Sequence, residues 1–180
     1  MEFVNIDAEQ IYEAEGAENI QVQESSILAA PQEFLDALEE LKFKRIKIKV
    51  DGLLLSDYNF SIEMIKRGAR IYVVEFHHII PKKHDELAGP ESFKLLMKAI
   101  AEVYTASKDI DIPVIFQFVL DCSEPEYLKQ AVEELSEMYP SQFEIIGNVT
   151  SMELKKAVDF AISKGIWIET DDPSLANHKK

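Results

Sequence analysis

Nine consecutive residues, Ile112 to Leu120 (IPVIFQFVL), contain one polar side chain and no charge. A run of this length is too short to cross a bilayer, which takes about 18 or more apolar residues. It reads as a strand covered on both faces, the position a parallel sheet gives its central strands. The segments around it agree. Residues 91–107 place Phe93, Leu96, Met97, Ile100 and Tyr104 at helical spacing behind Pro90, and 123–135 place Leu128, Ala131, Val132 and Leu135 behind the capping-box pair Ser123 and Glu126. Phe143 to Ile146 reads as a short strand. Thr150 and Glu153 repeat the capping spacing before a helix to Ser163, and Ile166 to Glu169 is the last strand. The C-terminal half is therefore expected to be β-α-β-α-β with right-handed crossovers.

The N-terminal half reads differently. Gln10 to Ala14 and Ile20 to Ile27 suggest a hairpin across residues 15–19, and Pro31 opens a helix to about Lys42. Lys44 to Val50 alternates, with Ile46, Ile48 and Val50 on one face and Arg45, Lys47 and Lys49 on the other. Asp51-Gly52 is a hairpin turn signal, so Leu53 to Leu55 is expected to return antiparallel. Residues 59–66 suit a short helix or a loop. Arg70 to Ile80 (RIYVVEFHHII) is β-branched and aromatic and ends at Pro81, which opens a polar loop over 81–90. The expected fold is one α/β domain over 1–180. Its mixed sheet has an antiparallel N-terminal half, a parallel C-terminal half and helices on both faces. Residues 1–30 form an irregular or hairpin extension, and 171–180 a frayed tail.

Charge and cysteine narrow the function classes. The formal net charge is −14, a field that repels phosphates and disfavours nucleic acid and anionic membranes as partners. It is unevenly spread. Residues 1–42 carry eleven acids and one base, 43–83 nine bases and four acids, and 84–180 again an acidic excess. One cysteine excludes an internal disulfide and a multi-cysteine zinc site. The acidic start MEFVNIDAEQ lacks the basic and apolar pattern of a signal peptide, so a cytoplasmic location is expected.

Three sets of residues could carry chemistry. Glu75 and His77, two apart on a strand, share a face and suit a divalent metal, with Asp57 as a third ligand. Arg45, Lys47 and Lys49 could hold an anion. The turns after the parallel strands, with Asp121, Cys122, Ser123, Gly147, Asn148 and residues 169–172, lie where open α/β sheets bind ligands, and Asp121 and Ser123 are candidates there. No glycine-rich phosphate loop, GxSxG elbow, HExxH helix or EF-hand loop is present. Two functions follow as expectations. The first is a non-enzymatic acidic module, without cofactor, that binds another protein or regulates it, with self-association open to it. The alternative is a divalent-metal-dependent hydrolase acting on phosphodiesters.

Over residues 31–120 the expected element order resembles the α-β-β-β-α-β order of the restriction-endonuclease-like nucleases. That resemblance puts Asp57 and Glu75 at the family's two metal-binding acids, and His77 where the family has a lysine.

Overall fold

The computed structural model describes residues 2–121, 124–146 and 151–170. In chain order its strands are β1 Val4–Ile6, β2 Asn19–Gln23, β3 Arg45–Val50, β4 Ala69–Phe76, β5 Ile115–Asp121, β6 Gln142–Ile146 and β7 Trp167–Thr170. Its α-helices are α1 Glu24–Ile27, α2 Pro31–Leu41, α3 Tyr58–Lys66, α4 Pro81–Ala88, α5 Ser92–Asp109, α6 Leu128–Ser136 and α7 Ser151–Ser163. Two compact units divide the chain. The first comprises 1–74 with 91–115, the second 75–90 with 116–180. None of the described helices is long and apolar enough to cross a membrane.

In the first unit β1, β2, β3 and β4 pair in chain order and all run parallel. The register sets Ile20 beside Ile46, Val22 beside Ile48, and Ile48 beside Tyr72. All five side chains are buried. Helix α3 packs on α5 in the same unit. The expected antiparallel arrangement is overturned, and the reasons lie in two short segments. Ala8, Ile11 and Ala14 are the buried residues of a 3₁₀ helix over Ala8–Ala14, a period of three that replaces the first expected strand. The Asp51-Gly52 turn does not close a hairpin, because the backbone beyond it is held elsewhere. Glu24, at the start of α1 and fully buried, accepts hydrogen bonds from the backbone N–H groups of Asp51, Gly52, Leu54 and Leu55. Both carboxylate oxygens are used, so residues 51–55 form a turn around Glu24 instead of a strand. Burial, then the neighbouring Asp51, pushes the Glu24 carboxyl above its ordinary range, against the pull of these N–H groups.

Helix α3 follows, with Asp57 at its N-cap accepting from the Phe60 N–H at 3.0 Å. The nuclease-like order is thereby corrected too: no strand follows β3 over 51–57, Asp57 caps a helix, and β3 and β4 are parallel.

In the second unit β5, β6 and β7 are parallel and adjacent in chain order. This matches the β-α-β-α-β reading. The amphipathic faces of α6 and α7 pack together, with Leu128, Ala131, Val132 and Leu135 of α6 buried. Phe118 is the hub of the core, its ring 5.2 Å from Phe76, 6.1 Å from Phe116 and 6.0 Å from Phe143. Residues 81–88 are a helix, not the expected loop. Pro81 occupies a first-turn position, where its missing N–H costs no hydrogen bond, and His84 is the buried residue of that helix.

Helices surround the strands, and burial differs between the two faces of each strand. In the first unit Ile20, Val22, Ile46, Ile48 and Val50 are buried, while Gln21, Gln23 and Lys47 are half-buried and Arg45 and Lys49 exposed. In the second, Phe116, Phe118, Phe143 and Ile145 are buried, whereas Gln117, Asp121 and Gln142 are half-buried and Glu144 and Glu169 exposed. The second face of each unit is therefore more polar and more open than the first, though Ile71 and Val119 are buried on it.

Candidate functional site

The polar face of the second unit ends in a cluster at the carboxyl ends of β4 and β5, the edge where parallel α/β folds place their sites. Glu75 is exposed and Phe76 buried at the end of β4, as strand alternation dictates, and His77 and His78 follow the strand. His77 Nδ1 lies 3.8 Å from Glu75 Oε1 and 3.7 Å from Asp121 Oδ2. Both separations exceed hydrogen-bond length, so the imidazole is flanked by two carboxylates without being bonded to either. Among the described residues neither carboxylate pairs with a lysine or arginine. Behind them His84 sits fully buried, its ring 5.5 Å from that of His77. Burial, then the neighbouring His77, lowers its pKa from the ordinary imidazole value.

His78, the next residue, is 7% exposed. Its Nδ1 accepts the Ile80 N–H at 2.9 Å, which assigns the proton of the neutral ring to Nε2. Nε2 is buried, and among the described residues nothing accepts from it within hydrogen-bond distance. The nearest carboxylate, Glu124, stands 3.7 Å away and is engaged by Lys83, whose ammonium lies 2.7 Å from Oε1 and 4.9 Å from the Tyr127 ring centre. Lys83 holds the Glu124 carboxyl below its usual range, and Glu124 raises the Lys83 ammonium in return. A small cavity of about 20 Å³, room for about one water, is lined by Phe76, His78, Leu120, Asp121, Tyr127 and Leu128 among others.

The expected site residues are therefore only partly gathered. Asp121 stands beside His77, whereas Asp57 caps α3 in the first unit. Among the described residues no group of three or more His, Cys, Asp or Glu side chains is placed to hold a metal. Arg45, Lys47 and Lys49 share the polar face of β3. Lys47 Nζ lies 4.4 Å from the Phe3 ring centre, and Lys49 lines an open polar pocket with Asn5, Gln10, Gln21 and Gln23. Cys122, Ser123, Gly147, Asn148, Thr150 and residues 171–172 lie outside the described residues. Sequence reasoning missed Lys83, Glu124 and Tyr127 as a group. Lys83 joins them because 81–88 is helical, and the Pro81 first-turn signal was the available clue.

No protein-family model and no curated protein matches the sequence. Solved structures do. The chain resembles SuiB of Streptococcus suis bound to S-adenosylmethionine, with TM-score 0.66 and 14% identity over 92% of this chain and 42% of that one. It also resembles methylornithine synthase (PylB), with TM-score 0.62 and 12% identity over 89% and 53%. A third likeness is to the radical S-adenosylmethionine methyltransferase TsrM of Kitasatospora setae, solved with cobalamin and a 4Fe–4S cluster, at TM-score 0.51 and 11% identity over 77% and 27%. The chain spans about half or less of the length of these structures. At such identities the likeness shows the fold alone, successive parallel βα units of the kind that build (β/α) barrels. A 4Fe–4S cluster is held by cysteine thiolates, typically four. This chain has one cysteine, so its residues do not fit such a cluster.

Proposed function

We propose that this chain is a non-enzymatic binding module, and that its second unit receives a basic segment of a partner protein at the carboxyl ends of β4 and β5. The observation that carries the reading is the pair Glu75 and Asp121. Both are partly exposed, both face His77 beyond hydrogen-bond length, and neither pairs with a lysine or arginine among the described residues. A partner's lysine or arginine placed between them makes charge-assisted hydrogen bonds that His77 is too distant to make. The acidic character extends down the same face. Glu144 and Glu169 are in register on β6 and β7, which sets them about 4.8 Å apart along the sheet. Like charges directly opposite one another oppose sheet formation, and a bound cation relieves them. The net charge of −14 steers a basic partner toward the chain at low salt. No observation favours the divalent-metal hydrolase reading over this one.

The test is titration of the full chain with a fluorescent peptide of alternating lysine and glycine, at 20 and 300 mM salt. Saturable binding at low salt, weakened at least tenfold in the Glu75→Gln/Asp121→Asn double variant and unchanged in Glu133→Gln on α6, supports the reading. Binding that the double variant leaves intact, or no saturable binding at low salt, overturns it.

A further inference from the structure

Five cations line one groove in the first unit, and basic-segment recognition by the second unit does not use them. The loop from α2 to β3 supplies Lys42 and Lys44, and the end of α3 with the start of β4 supplies Lys66, Arg67 and Arg70. Ile46 pairs with Ala69, which sets the two loops side by side at the amino ends of β3 and β4. The groove holds about 610 Å³ and opens to solvent; ligand pockets usually hold roughly 300–1,000 Å³. Leu38 and Phe43 are its buried apolar residues. Of its nine described lining residues five are bases and one, Glu39, is an acid, in a chain with 33 acids and 19 bases.

The charges around the groove do not cancel. Lys44 meets Glu18 at 2.5 Å, with both side chains largely exposed. Lys66 and Arg67 share Glu63, and Arg67 also reaches Glu39 at 3.3 Å. Lys42 is exposed and, among the described residues, pairs with no acid. Arg70 Nη1 donates to the backbone carbonyls of Ile65 and Ala69, which fixes its guanidinium there. Five cations therefore face three carboxylates and the carboxyl ends of α2 and α3, each end worth about half a negative charge. The balance stays positive in a chain of net charge −14. The exposed pairs of Lys44 and Lys66 hold weakly, so an incoming anion can take the place of Glu18 and Glu63. The field of the whole chain is screened over about 10 Å at roughly 0.1 M salt, and inside that range the nearest cations decide.

We infer that this groove binds a compact oligophosphate, free or as the phosphate chain of a nucleotide, with Lys42 and Lys44 at one end of the chain and Lys66, Arg67 and Arg70 at the other. A single carboxylate offers one charge to cations on two loops, whereas a phosphate chain spreads several charges over a short length. Guanidinium forks and lysine ammonium groups both match phosphate oxygens. An extended polyanion fits less well, because beyond the groove it runs onto α2, where Glu33, Asp36 and Glu40 are exposed. Arg45, Lys47 and Lys49, the anion candidates of the sequence, are not among the lining residues.

The probe is sodium triphosphate, titrated by calorimetry into the full chain in metal-free buffer at 20 mM salt. ATP, orthophosphate and a short DNA duplex are titrated in parallel. Triphosphate is expected to bind saturably at one site and to lose at least tenfold in affinity at 200 mM salt. Orthophosphate should bind at least tenfold more weakly. ATP binding no tighter than triphosphate assigns the free chain as the ligand, tighter ATP binding assigns a nucleotide, and either supports the inference. Lys42→Gln/Lys44→Gln, at two exposed positions, should weaken triphosphate binding at least tenfold. Glu39→Gln, which removes the carboxylate lining the groove, should tighten it, and Lys94→Gln at an exposed position of α5 should change nothing. A native-like amide spectrum confirms that each variant folds. The inference is overturned if triphosphate gives no saturable binding, if orthophosphate binds equally well, if the double variant binds like the wild type, or if the duplex binds more tightly than triphosphate. The basic peptide addresses the second unit, so failure of its titration leaves this result standing, and the reverse also holds.

Discussion

Glu24 and Leu55, 31 residues apart, are joined by a hydrogen bond of 2.7 Å from the Leu55 N–H to the buried Glu24 carboxylate. Three further N–H groups, of Asp51, Gly52 and Leu54, converge on the same side chain. Glutamine at position 24 keeps the shape but turns one acceptor oxygen into an NH₂ that faces backbone donors. Two N–H groups then lose their acceptor, each worth roughly 1–3 kcal/mol when buried. Glu24→Gln is expected to lower unfolding stability by about 3 kcal/mol, read as a fall in the urea midpoint at unchanged slope.

Gly52 is the second fixed point of that turn. Its φ is +87°, and a Cβ there would come within 2.5 Å of the Leu95 carbonyl carbon and 2.8 Å of the Leu96 nitrogen, both on α5. Backbone cannot give way as a side-chain end can. Left-handed strain adds to the overlap, so Gly52→Ala should cost roughly 2–4 kcal/mol. Gly16, at φ +89° with open space around it, is the control, and Gly16→Ala should cost about 1–2 kcal/mol, the strain alone. Thermal melting of the two variants side by side checks the difference.

These two residues also show where sequence reading stops. The alternation of Ile46, Ile48 and Val50 was legible because it is local, and so were the Pro31 helix start and the stripe of α5. Strand direction in the first half was not. Asp51-Gly52 carries a genuine turn signal, but the partner that decides its geometry is Glu24, far off in sequence. The site divides in the same way. Glu75 and His77 share a face by the period of two, and Asp121 follows from the rule about strand ends. The orientation of His78 depends on the Ile80 N–H, and Lys83 reaches Glu124 through a helix that was read as a loop.

His84 predicts an acid sensitivity. Burial lowers its pKa in the fold below the ordinary 6.5, with His77 acting in the same direction and Asp85 and a hydrogen bond with the His78 backbone opposing. The unfolded chain therefore takes up a proton more readily than the folded one. The stabilising contribution is complete above pH 6.5 and is lost as pH falls through 6.5 toward the lowered value. Urea midpoints measured at half-unit steps from pH 7.5 to 5 should fall for the wild type. In His84→Leu the fall should be shallower over that window, and an identical slope would show that His84 does not titrate there.

Phe118 links the core of the second unit to its site. The side chain is fully buried, and its ring touches Phe76, next to His77 in the chain, as well as Phe143 on the neighbouring strand. Phe118→Ala leaves a cavity that three aromatic rings held in strands cannot readily close, with an expected loss of about 3–5 kcal/mol. Phe76 also forms the floor beside His78, so the loss should reach the pocket. In this variant, if it remains folded at low temperature, the His78 ring signals should broaden, while amides of the first unit such as Ile20 and Ile48 keep their positions. Phe118→Leu, which retains most of the volume, should cost less than half as much and leave the His78 signals sharp. Equal stability losses in the two variants would mean that aromatic packing around Phe118 is not what holds this core.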